Sequence, residues 1–245
     1  MFEGKALGAS GTSVGEIAFN TGMYGYQEIF TDPSYHKQML VMATPHIGNY
    51  GVHDEEVESE CIKVAGIVVR NFSTIASRVG GSGTLQDNLE QSGTVGISDV
   101  DTRALVRHIR MNGAMNCILS TEEFDVEKLK QKLAEVPSMK GLALSGEVSV
   151  DEPYDFNEIK DGHRIALLDL GLKKSIATCL VDRGCDIRVF PWDSNAEDLL
   201  AWNPDGIMLS NGPGDPSAMP NVISEVAKLV DSGLPVFGIC LGHQL

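Results

Sequence analysis

Apolar residues recur with two different rhythms along this chain, and the rhythm changes near residue 162. Upstream, short apolar runs are separated by glycine. The runs LVMAT at 40–44 and GIVV at 66–69 predict strands. Residues 98–110 predict a helix: Leu105, Val106 and Ile109 share one face, and Ser98 or Asp99 can cap it. Arg103, Arg107 and Arg110 of that helix then face water or a partner. A second helix is expected over 125–136, with Val126, Leu129 and Leu133 on one face and Pro137 as its stop. From 142 to 162 the pattern weakens, and acidic residues with Pro153 and Gly162 suggest a linker.

Downstream the order becomes strand, helix, strand, helix. RIALLD at 164–169 reads as a buried strand, and 173–183 as a helix with Gly184 placed to end it. A strand follows at 186–190. Ser194 and Glu197 form a capping box that opens a short helix to Trp202. A strand at 206–210, a helix at 221–231 and the strand PVFGI at 235–239 complete the series. Such alternation implies a doubly wound parallel sheet. Sites in sheets of this kind lie at the carboxyl ends of strands.

Composition narrows the function classes. With 245 residues and 42% hydrophobic content, the chain can bury a sizeable core without disulfides. Nineteen basic against 34 acidic residues leave a net charge of −15, which argues against a nucleic-acid partner. The cysteines at 61, 117, 179, 185 and 240 form no CxxC pair. Scattered and odd in number, they read as reduced thiols of a cytoplasmic protein. None has metal-ligand spacing to the histidines. No apolar run has the length of a signal peptide or a membrane span.

Two motifs sit at strand ends: SNGPGDP at 210–216 and GICLGHQ at 238–244. In the second, glycines at −2 and +2 flank Cys240, the pattern of a sharp strand–turn–helix elbow that lifts a nucleophile off the sheet. A helix starting there aims its first amides at an anionic sulfur, and the Leu241 N–H points where an oxyanion would form. Gly212 or Gly214 of the first motif could donate a second N–H. Taken alone, GICLG could be a buried cysteine at a strand end and SNGPGDP an ordinary turn. Two such loops at adjacent strand ends favour chemistry.

GICLGHQ resembles the nucleophile motif of class I, triad-type glutamine amidotransferases. SNGPGDP, together with GEIAFNTGMYGYQEIFTDPSYH at 15–36, PHIGNYG at 45–51, DVDTRALVRHIR at 99–110 and PDGI at 204–207, is similar to the small-subunit family of carbamoyl-phosphate synthetases. The resemblance covers nearly the whole chain. It implies a mixed α/β small-subunit domain over 1–145, a linker over 146–162, and the first part of a flavodoxin-like, doubly wound glutaminase domain over 163–245. It implies that Cys240 forms a glutamyl thioester, that Leu241 and Gly212 supply oxyanion amides, and that Ser34, Gly212, Gly214, Leu241 and Gln244 hold glutamine. The family's base is a histidine paired with a glutamate, expected beyond Leu245; His243, three residues after the cysteine, is expected to point away from the sulfur. The chain is expected to be truncated at both ends, and Leu170 stands where the family usually has Phe.

The resemblance further implies ammonia transfer to a large synthetase subunit, which would make carbamoyl phosphate for arginine and pyrimidine synthesis. ATP and Mg²⁺ are expected on that partner; this chain has no P-loop and is expected to carry no cofactor. The alternatives are an amidotransferase or Cys-dependent hydrolase of another pathway, and a catalytically incomplete association module.

Overall fold

The computed structural model describes residues 1–159 and 162–245; Lys160 and Asp161, inside the expected linker, lie outside the described residues. The chain forms two compact units, Met1–Ser138 and Met139–Leu245.

The first unit carries strands β1 (Lys5–Gly8), β2 (Thr12–Asn20), β3 (Gln38–Met42), β4 (His46–Ile47), β5 (Gly66–Val68), β6 (Asn71–Phe72), β7 (Val95–Ser98) and β8 (Asn116–Ser120). Its helices are α1 (Tyr26–Thr31), α2 (Leu85–Gln91), α3 (Thr102–Asn112) and α4 (Val126–Ala134). Six strands form a mixed sheet in the order β1-β7-β5-β3-β2-β8, while β4 and β6 pair separately. The four central strands run parallel, and β1 and β8 join antiparallel at the edges. Alternation along β3 explains the two apolar layers. Leu40 and Met42 face one cluster with Ile67, Tyr26, Phe30, Leu85 and Leu89. Met39 and Val41 face the other, with Val68, Leu105 and Ile109. A strand buried on both faces needs the continuous apolar run seen at 39–42.

Helix α3 starts later than its sequence suggests. The Asp101 carboxylate caps it by accepting the Ala104 N–H at 3.0 Å. Ser98 is instead the last residue of β7, its hydroxyl donating to the Lys5 carbonyl. Asp99 has φ of 63°. Neither is free to cap a helix.

The second unit carries β9 (Tyr154–Asp155), β10 (His163–Asp169), β11 (Cys185–Pro191), β12 (Gly206–Leu209) and β13 (Val236–Gly238). Its helices are α5 (Lys174–Val181), α6 (Ala196–Ala201), α7 (Pro220–Asp231) and α8 (Leu241–Gln244). The sheet order is β13-β12-β10-β11-β9. All neighbours are parallel except β9, which pairs antiparallel with β11 from within the stretch expected as a linker. Helices cover both faces. Ala166, Leu168, Ile207 and Leu209 pack with α6 and α7 residues such as Leu199, Val222 and Val226. Leu167, Ile187, Val189 and Met208 pack with Ala177 of α5. This is the doubly wound parallel architecture. The predicted capping box at Ser194 does not form: Asn195 caps α6, its side-chain Oδ1 accepting the Asp198 N–H at 2.9 Å. Among the described residues no helix is long and apolar enough to cross a membrane.

Candidate active site

β13 ends at Gly238 and α8 begins at Leu241, so the chain reverses within two residues. Cys240 occupies the turn with φ 51° and ψ −111°, a region that side chains other than glycine avoid. The flanking glycines are sterically required. A Cβ on Gly238 would lie 2.2 Å from the Gly242 carbonyl oxygen, and one on Gly242 would lie 2.5 Å from that of Leu209. The Gly242 N–H donates to the Ser210 carbonyl at 3.1 Å, which ties the elbow to the end of β12. The Cys240 carbonyl accepts the N–H groups of His243 (3.0 Å) and Gln244 (3.2 Å). Cys240 is exposed, while Leu241 is buried in the cluster with Leu170 and Leu209. As the first helical residue, Leu241 has an N–H with no acceptor inside its own helix. Gly242→Ala is expected to cost about 1–3 kcal/mol or more, since the neighbours it would strike are backbone. A urea titration checks this, and an unchanged midpoint would contradict the close approach.

The loop after β12 lies directly beside this turn. A Cβ on Gly212 would meet the Leu170 carbonyl oxygen at 2.0 Å and the Leu241 side chain at 3.0 Å, so only glycine fits between them. Gly214 has φ of 98° and bridges to Ala143. Asp215 closes the loop. Its carboxylate accepts the Ser217 hydroxyl (2.7 Å), the Gly141 N–H (2.8 Å) and the Ser217 N–H (2.9 Å). These bonds, the Ser217 hydroxyl first, hold its pKa below the usual aspartate value. A lowered carboxylate pKa contributes stability that is complete above the unfolded value and lost as pH falls through the folded one. Acidification below about pH 4 is therefore expected to loosen the 141–144 segment from the 214–217 loop. Amide exchange at Gly141 measures this, and protection independent of pH in Asp215→Asn is the matching control.

Three buried polar residues outside the expected catalytic and substrate-binding set organise the site. Asp169, at the end of β10, accepts the N–H groups of Gly171 (2.9 Å) and Leu172 (2.7 Å) on one oxygen and of Val150 (2.9 Å) on the other. The Ser210 hydroxyl accepts the Leu170 N–H at 2.9 Å and donates to the Asn211 carbonyl at 2.8 Å. The Asn211 side chain accepts the Lys173 N–H at 2.9 Å. Together they fasten the loop after β10 to the loop after β12. Ser210 and Asn211 open the SNGPGDP motif, whereas Asp169 signals itself only as a polar residue ending an apolar strand.

Of the site residues expected from sequence, Cys240, Leu241, Gln244, Gly212 and Gly214 belong to the second unit, and Gly212 and Leu241 are in contact. Gln244 is exposed on α8, as is His243. Ser34 belongs to the first unit, in the 3₁₀ turn Pro33–Tyr35, where its N–H donates to the Asp32 carboxylate at 2.9 Å. Among the described residues no cluster of His, Cys, Asp or Glu has the makings of a metal site.

Cys117 is a contrasting thiol. It packs partly buried beside the Ile17–Leu119 cluster, and burial pushes its pKa up to about 12. Its contribution to stability is intact below the unfolded thiol value and falls as pH rises toward 12. Iodoacetamide at pH 8 is expected to alkylate exposed Cys240 and spare Cys117, as read by peptide mass mapping.

Comparison with known proteins accords with this geometry. Residues 1–119 match the model of the carbamoyl-phosphate synthase small chain, CPSase domain, and residues 166–245 match that of class I glutamine amidotransferases. The carbamoyl phosphate synthase small chain of Vibrio vulnificus is 44% identical over 261 aligned positions, covering 100% of this chain and 69% of the relative. Those of Syntrophotalea carbinolica and Escherichia coli are 43% and 41% identical, each covering 100% of this chain and 68% of the relative. With an elbow cysteine in a doubly wound unit and relatives of this similarity along its whole length, the chain belongs to the carbamoyl phosphate synthase small-chain family.

Proposed function

We propose that this chain supplies the glutamine-hydrolysing nucleophile of a carbamoyl-phosphate synthetase. The thiolate of Cys240 attacks the side-chain amide carbon of glutamine. The carbonyl oxygen becomes an oxyanion that accepts hydrogen bonds from the N–H groups of Leu241 and Gly212. The C–N bond then breaks, nitrogen leaves as ammonia with a proton from a general acid, and a glutamyl thioester remains. Water attacks the thioester, giving glutamate and restoring the thiol. Gly214 and Gln244 hold the substrate. The general base is a histidine paired with a glutamate; exposed His243, one helical turn beyond Cys240, is not assigned that role. The ammonia passes to a large synthetase subunit, which holds ATP and Mg²⁺ and joins the nitrogen to bicarbonate-derived carbon.

One observation carries this reading: an exposed cysteine held in a backbone conformation that costs free energy, between glycines whose hydrogens touch neighbouring carbonyls. A fold gains nothing from such a residue unless the sulfur is used. A diazoketone analogue of glutamine is expected to alkylate Cys240 in preference to the exposed Cys61 and Cys179. Equal labelling of the exposed thiols, unaffected by competing glutamine, would contradict the assignment. It would leave the association-module reading in its place.

A further inference from the structure

The outward face of α3 carries a charge arrangement that the proposed chemistry does not use. Arg103, Arg107 and Arg110 are exposed and follow i, i+4, i+7 spacing, so they form one stripe. The stripe lies opposite Leu105 and Ile109, which anchor the helix in the core. Met111, 85% exposed, and Ala104 lie alongside it.

Among the described residues, nothing neutralises these charges. None of the three guanidinium groups pairs with a described carboxylate, and no position three or four residues away along α3 is acidic. Like charges at this spacing destabilise a helix. Several cations elsewhere in the molecule do have partners. Arg78 pairs with Glu56 and Arg188 with Asp155, Arg164 stacks over Trp202, and Arg183 donates to the Cys179 carbonyl. Lys128, Lys130 and Lys228 on α4 and α7 have acidic partners. An unneutralised arginine stripe in a chain of net charge −15, with 34 acidic residues to choose from, has a composition suited to contact with something outside the chain.

We propose that this face of α3 docks an acidic patch on the large synthetase subunit, with Arg103, Arg107 and Arg110 meeting carboxylates and Met111 seated at an apolar centre. The proposal rests on the partner reading given above. Arginine and methionine are the residue types enriched in protein–protein interfaces, and an exposed methionine adds nothing to a purely electrostatic contact with phosphates. Guanidinium forks suit paired carboxylates.

The test is titration of this chain against its cognate large subunit, followed by sedimentation velocity at several salt concentrations. R103E/R107E/R110E is expected to weaken association about tenfold or more and to flatten its salt dependence. R103Q/R107Q/R110Q is expected to have a smaller effect in the same direction. K128E/K132E on α4, an equal kind of reversal elsewhere on the unit, is expected to leave affinity unchanged. A charge-reversed chain that binds like the unaltered one, with the same salt dependence, overturns this proposal alone. Failure of the unaltered chain to bind the large subunit overturns the partner reading and this proposal together. Binding of single-stranded RNA at physiological salt, lost in R103E/R107E/R110E, would assign the face to nucleic acid and overturn it as well.

Discussion

Cys240→Gly is expected to be more stable than the natural chain and inactive toward glutamine. The two effects come from the same backbone conformation. At φ 51° and ψ −111° a Cβ is crowded, and holding a side chain there costs about 1–3 kcal/mol. Glycine removes that cost but adds about 0.5–1 kcal/mol of unfolded-chain entropy. The steric term is the larger, so the net gain is expected to be on the order of 0.5–2 kcal/mol. Cys240→Ala keeps the Cβ and loses only the sulfur. The difference between the glycine and alanine variants therefore isolates the strain. Denaturant titration measures it, and a glycine variant no more stable than the alanine one would show that the turn is unstrained.

Activity separates along the other axis. Cys240→Ser leaves the elbow intact but replaces a good nucleophile by a poor one. Glutamine-dependent synthesis in the complete complex is expected to fall roughly 10⁴- to 10⁶-fold, the usual scale for loss of an essential nucleophile. Synthesis from free ammonia is expected to survive, because ammonia enters after the thioester step. Loss of both activities would point to a structural role for Cys240.

The largest expected loss of stability is at Asp169→Ala. The Asp169 carboxylate is buried at 3% exposure and accepts the N–H groups of Gly171, Leu172 and Val150. Each buried donor left without an acceptor costs about 1–3 kcal/mol. With some relaxation and water entry the sum is expected near 3–5 kcal/mol, a large share of a typical domain's stability. Asp169→Asn keeps one acceptor oxygen for the 171–172 turn and turns an NH₂ group toward the Val150 N–H, so an intermediate loss is expected. Both tryptophans, Trp192 and Trp202, lie in the second unit, so their fluorescence follows that unit alone. A fluorescence midpoint in Asp169→Ala equal to that of the unaltered chain would refute the role given to the carboxylate.

The second unit was largely legible from local pattern. Apolar runs at 164–169, 206–210 and 235–239 alternate with amphipathic stretches, and the observed elements fall within two residues of those positions. Gly-x-Cys-x-Gly could be read as an elbow because the steric demand is local: Gly238 faces Gly242 across a single turn. The caps were misread where several polar residues compete within a few positions. Asp101 rather than Ser98 caps α3, and Asn195 rather than Ser194 caps α6. In each case the choice depends on where the preceding strand or turn releases the chain.

In the first unit, local pattern named individual strands but not their arrangement. β1 pairs with β7, joining Lys5 to Ser98, and β2 with β8, joining Thr12 to Ser120. These pairings depend on which edges remain open once the central strands have packed.

From its residues alone, this chain determined where strands and helices alternate, where a cysteine must turn sharply, and that three arginines share one helix. These are consequences of side-chain period and of glycine's missing Cβ, which act over a few residues. Tertiary structure alone decided the order of the sheets and the fastening of the site by Asp169, Ser210 and Asn211, whose partners lie as far as 40 residues away. It also decided that no described carboxylate folds back onto the arginine stripe. Such outcomes are set by which distant backbone groups must be satisfied when the core closes, and no local pattern encodes them.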